Sequence, residues 1–121
     1  MNYASVDIKE KFKKFDECWS PKIIGEMNDY YIKLAKIKDH FTWHKHEETD
    51  EVFIVYKGNM RIDFRDGFVN LIEGQMFVIP KNVEHKPYAE NVCEIMLLEP
   101  RTTLNTGNVK DKFTKENLEW I

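Results

Sequence analysis

"WHKHEETDE" (residues 43–51) packs two histidines and four acidic residues into nine positions. Its backbone conformation decides what the rest of the chain can do. On an α-helix, residues i and i+2 point about 200° apart, so His44 and His46 could not face one ligand. On a β-strand, alternate side chains share a face and the two imidazoles stand side by side.

The flanking sequence favours strands. "YYIKLAKIK" (30–38) is rich in β-formers and follows the turn-like "MND" (27–29). "EVFIVYKGN" (51–59) is a continuous apolar run closed by Gly58-Asn59. "MRIDFRDGFVNLI" (60–72) puts Met60, Ile62 and Phe64 on one face and Arg61, Asp63 and Arg65 on the other. Asp66-Gly67 sits inside that stretch as a two-residue hairpin signal. "GQMFVIP" (74–80) and "VCEIMLLEP" (92–100) are two more apolar strands, each stopped by proline. Short strands at regular spacing, separated by turn residues, indicate an all-β antiparallel barrel or sandwich. "FTWHKH" (41–46) is then expected to be a strand as well.

Both ends of the chain differ from this middle. In "SVDIKEKFKKFDECW", Ile8, Phe12, Phe15 and Trp19 recur at helical spacing. Asp7 followed by Glu10 resembles a capping box, so a short amphipathic helix is expected over about residues 6–18. Residues 101–121 form a polar tail that ends in Leu118, Trp120 and Ile121, apolar side chains that suggest docking on the body. One domain spanning 1–121, with a barrel over about 22–100, follows from the length and the lack of a linker or repeat.

Composition excludes several functions. The chain is 42% hydrophobic and 13% aromatic, enough for a core, and its net charge is −3 with both signs interspersed. It offers no basic footprint for nucleic acid and no polybasic anchor or apolar span for a membrane. Cys18 and Cys93 form no CxxC pair, so two reduced thiols in a cytoplasmic protein are expected.

The charged stretch can now be placed. After the turn "EETD", Glu51 opens a strand and can return to the end where His44 and His46 lie. His85 follows the loop "IPKNVE". Three imidazoles and one carboxylate make a metal set suited to Fe, Mn, Ni, Cu or Zn. Glu47, Glu48 and Asp50 read as a solvated turn and His40 as a surface histidine. Phe53, Phe64 and Phe77 read as core, with Phe53 sharing Glu51's parity toward a cavity. Asn105, Thr106 and Gly107 read as a structural turn, with a lid over the barrel mouth as the alternative.

These residues carry a resemblance. His44-x-His46, four residues, Glu51, six residues, Gly58 is similar to the first motif of the cupin superfamily. Gly74, Pro80 and His85 match its second motif. Lys38, Asn82 and Ala89 stand where that pattern has Gly, Gly and Asn. None of the three is a ligand position, and Asn tolerates the left-handed turn conformation that glycine would supply. "WHKHEETDEVFIVYKG", "EGQMFVIPKNVEHKPYA" and "EPRTTLNTG" resemble the small single-domain cupins of the mannose-6-phosphate isomerase-like type, over about residues 20–108.

The resemblance implies a cupin-type antiparallel β-barrel (jelly-roll) holding one divalent transition metal (Fe, Mn, Ni or Zn) on His44, His46, Glu51 and His85. It implies a metalloenzyme acting on a small organic molecule, with dioxygenase chemistry slightly favoured over sugar isomerase or lyase chemistry. Glu51 is the expected proton acceptor and Tyr88 a candidate catalytic residue. The alternative is a non-catalytic, metal-dependent module that binds or senses a small metabolite. A homodimer is expected in either case. A sugar-phosphate substrate would need a clamp, for which Lys81, Lys86 and Arg101 are the only candidates, and that label is not adopted.

Overall fold

The computed structural model describes residues 1–121. Two long strands, β2 (Tyr30–His40) and β7 (His85–Pro100), pair antiparallel from Tyr30↔Pro100 to His40↔Tyr88 and form the spine. The second half of β7 pairs β3 (Glu51–Lys57), which in turn pairs β6 (Met76–Ile79). The first half of β7 pairs β4 (Asn59–Phe64), joined to β5 (Gly67–Ile72) by the expected hairpin. On the far edge of β2 lie β1 (Lys22–Met27) and then β8 (Glu119–Trp120), which runs parallel to β1. The result is an all-β, cupin-like sheet that curls around a core without closing its ladder.

β7 is longer than the sequence suggested. The exposed Glu90, Asn91 and Val92 mark where one strand passes from one partner to the other. On either side of them, alternation holds. His85, Pro87 and Ala89 point inward, and so do Cys93, Ile95, Leu97 and Glu99. Of these, Ala89, Cys93, Ile95 and Leu97 join Ala35, Ile37, Phe53, Val55, Met60, Ile62, Leu71 and Ile79 in one core cluster. Burying each larger aliphatic side chain contributes about 1.5–3 kcal/mol, so this interior sets the curl that brings β3 and β7 together.

At the N-terminus, the helix α1 covers only Ile8–Phe12, short of the expected 6–18. Asp7 caps it as expected, accepting from the Glu10 backbone N–H at 3.1 Å. Isolated helices this short are marginal in water, and tertiary contacts decide where this one stops. Phe12 and Phe15 are drawn onto Leu34 and Tyr56 on the outer sheet face. Trp19 leaves the stripe altogether, in a left-handed backbone conformation, and stacks on Phe41 at 4.5 Å. No helix is long and apolar enough to cross a membrane, and Cys18 and Cys93 are both free thiols.

Candidate metal centre

Residues 41–46 do not form the strand expected of them. A single bridge, His44↔His85, is their only β-pairing. It is a two-way exchange, with His44 N–H donating to the His85 carbonyl at 3.0 Å and His85 N–H to the His44 carbonyl at 2.9 Å. Two further clasps replace a ladder. The Asn82 N–H donates to the His46 carbonyl at 2.7 Å, and Lys45 exchanges bonds of 3.0 Å with Asn108 of the tail. Asn82 holds φ at +66°, the left-handed turn that glycine would otherwise supply.

The convergence inferred from the sequence holds even so. His44, His46, Glu51 and His85 are all buried, and one potential ligand atom from each lies within 4.8 Å of the others. The ring centroids of His44 and His85 are 4.3 Å apart, and those of His44 and His46 are 5.1 Å apart. His44 Nδ1 sits 2.9 Å from the Thr42 carbonyl and His85 Nδ1 2.9 Å from the Val83 carbonyl. A carbonyl only accepts, so each Nδ1 is the donor to its carbonyl and each Nε2 is the nitrogen turned to the interior.

Glu51 sits in the middle. Its Oε1 is 3.1 Å from His85 Nε2 and its Oε2 is 3.2 Å from His46 Nε2. The latter pair is off the hydrogen-bonding direction, so the buried His46 Nε2 has no hydrogen-bond partner. Burying a polar atom unpaired costs about 1–3 kcal/mol, and a metal ion would satisfy it. The donor set, nitrogen with one carboxylate, fits a divalent transition ion.

The electrostatics match. Burial, and then the neighbouring His85, lower the His44 pKa to about 4, which keeps it neutral and ligand-ready near pH 7. At His46 burial works against the charged form, but the Glu51 carboxylate beside it outweighs burial and raises its pKa. Burial also opposes ionised Glu51, yet His46 and His85 together hold its carboxyl well below the usual range.

The cluster opens on a cavity of about 40 Å³, lined by His44 and Glu51, apolar side chains that include Phe53 and Leu97, and Glu99 and Asn105. Glu99 was not anticipated. It is 1% exposed, and its Oε1 accepts from the fully buried Lys33 ammonium at 2.9 Å. Burial first, and then the Glu51 charge, push the Glu99 carboxyl up to about 7 against the pull of Lys33. Strand parity could have found both residues, because Lys33 shares the inward face with Ala35 and Ile37, and Glu99 shares it with Leu97 and Ile95.

Other expected site residues lie elsewhere. Tyr88 stands on the opposite face of β7 from His85, under Arg61 and beside His40, so it does not reach the cluster. His40 is exposed and bonds Lys86. Arg101 is engaged by Glu26 and Asp29, and Lys86 by Asp63 and His40. The tail, by contrast, comes closer to the site than a plain turn would. Asn105 donates to the Phe113 carbonyl and accepts from the Lys115 N–H, both at 2.9 Å. Thr106 is fully buried, and Gly107 lies against Lys45 and His44.

The Cupin domain family matches residues 31–99. A cupin-2 domain containing protein from Shewanella frigidimarina is 52% identical, covering 79% of this chain and 94% of its own, with a TM-score of 0.79. The uncharacterised Bacillus subtilis protein YdbB is 33% identical over 81 residues, which is 66% of either chain. A hydroquinone 1,2-dioxygenase solved with Fe3+ shares the fold alone, at 14% identity and a TM-score of 0.72 over 83% of this chain and 33% of its own. With the family pattern spanning the spine strands and the three-histidine, one-glutamate cluster, this chain belongs to the cupin family.

Proposed function

We propose that this cupin is a metalloenzyme that holds one divalent transition ion on His44, His46, Glu51 and His85 and acts on a small organic molecule. The observation that carries the reading is the buried cluster itself, four ligand atoms within 4.8 Å of one another with His46 Nε2 unpartnered. A bound ion would supply Lewis acidity, and iron or manganese would add redox chemistry. The chain's own contribution is to orient the imidazoles through Thr42 and Val83, and to keep water out with Phe53 and Leu97. Glu51, held ionised at the cavity, is the acceptor proposed for a proton from a bound molecule.

Dioxygenase chemistry is slightly favoured, because three histidines and one glutamate suit an oxygen-using ion and a structure of the same fold is an iron-loaded dioxygenase. The outward position of Tyr88 supports the second reading, a binding module without turnover, since it removes the expected additional acid or base.

Reconstitution separates these readings. Protein loaded with Fe(II), Mn(II) or Zn(II) is offered small phenols and hydroxy-carbonyl compounds, with and without oxygen. Oxygen uptake with iron or manganese but not zinc is the expected result. Anaerobic turnover with zinc would replace it with isomerase or lyase chemistry. Tight binding with no turnover under any condition would leave the binding module.

A further inference from the structure

A buried ion pair inside an apolar barrel needs a reason. Taking two charges out of water is costly, and replacing such a pair with apolar residues of similar size is often neutral or stabilising. Lys33 and Glu99 are 0% and 1% exposed, and they sit among Ala35, Ile37, Ile95 and Leu97 of the core. A purely structural pair at this place would be a poor use of the sequence.

The sheet register shows what the pair adjoins. On β2 and β7, Lys33 pairs Leu97 and Tyr31 pairs Glu99, so Lys33 and Glu99 are diagonal neighbours on one inward face. On β7 and β3, Val52 pairs Leu98 and Phe53 pairs Leu97, and the same alternation sets Glu51 opposite Glu99. The three side chains form a row across β2, β7 and β3. Lys33 occupies Oε1 of Glu99 at 2.9 Å, and no N–H or hydroxyl reaches Oε2. The next polar group along this row is the Glu51 carboxyl, which lines the same cavity as Glu99 and also bears on His46 and His85.

We infer that Glu99, anchored by Lys33, is a positioning residue for the metal centre and acts on it through Glu51. The inference rests on the proposed metal site and deepens it. Partners that orient a ligating carboxylate from behind are worth about 10–100-fold in metal affinity. Lys33 gives Glu99 a fixed base, and Glu99 limits the rotation of the Glu51 carboxylate about its side-chain axis. Neither residue is required to touch the ion or a substrate.

The test compares two double variants with the wild-type chain, using Co(II) alone as probe. Lys33→Met/Glu99→Leu removes the pair and its contact with Glu51. Lys33→Met/Glu99→Gln removes the charges but keeps a hydrogen-bonding group against Glu51. The leucine variant is expected to melt without metal at or above the wild-type temperature, yet to bind Co(II) about 10–100-fold more weakly with a shifted d–d spectrum. The glutamine variant is expected to recover affinity to within about threefold of wild type.

Equal affinity and an unchanged spectrum in the leucine variant would overturn the inference, and so would equal losses in both variants. If the leucine variant does not fold, Glu99→Asp keeps the charge but shortens the reach to Glu51. About tenfold weaker Co(II) binding then supports the role, and unchanged binding overturns it. Failure of the wild-type chain itself to bind Co(II) would instead defeat the metal reading on which this rests.

Discussion

His46→Ala is expected to weaken divalent metal binding by more than about a hundredfold, beyond the loss usual for a residue that only supports a ligand. The argument starts from local geometry. His46 is 6% exposed, its Nε2 has no hydrogen-bond partner, and Glu51 Oε2 lies 3.2 Å away without a good angle. Such an atom is either a cost to the fold or a ligand. Alanine removes it and leaves Glu51 with His85 as its one close imidazole. His40→Ala is the matched control, since His40 is exposed and paired with Lys86 away from the cluster. Competition with a metallochromic chelator should show wild-type affinity for the His40 variant and little binding for the His46 variant. Equal binding by both would mean that the ion, if any, sits elsewhere.

The second large effect is expected at a position with no ligand atom. Gly107→Ala should destabilise the chain by about 3 kcal/mol and lower its melting temperature by roughly 10 °C. Gly107 has φ of +57°, and a Cβ there would collide with the Lys45 backbone carbonyl and lie 3.2 Å from the His44 ring. A backbone oxygen cannot swing aside as a flexible side chain can. The tail must therefore lift off residues 44–46, breaking the Lys45–Asn108 exchange that stands in for a missing ladder. Thermal unfolding followed by circular dichroism measures the loss, and chelator competition measures the accompanying fall in metal affinity. A melting temperature within about 2 °C of wild type would show that this clasp contributes little.

Much of this arrangement was legible in the residues, for reasons that can be named. Alternation at Met60, Ile62 and Phe64 reflects one face in a core and one in solvent, and Asp66-Gly67 supplies the turn. The ligand set was legible because chemistry restricts which side chains can converge inside a barrel. The conformation of residues 41–46 was not. Strand parity and the irregular, clasped segment both put His44 and His46 on one side, so the right convergence followed from the wrong local structure. Tyr88 shows the opposite failure. Adjacency to His85 suggested a shared role, but three residues along a strand is an odd step and reverses the face. Lys33 and Glu99 were hidden because a lone charged residue in a strand is ordinarily solvated, and only register reveals that these two meet indoors.

The central claim is that three imidazoles and one carboxylate of this chain share one metal ion. X-ray absorption on Zn(II)- or Fe(II)-loaded protein, with metal content measured on the same sample, tests it most directly. The account predicts one ion per chain, with nitrogen and oxygen neighbours at about 2.0–2.2 Å and the multiple-scattering signature of three imidazoles. A spectrum showing sulfur ligation, a shell of oxygen alone, or an ion content well below one per chain would contradict it.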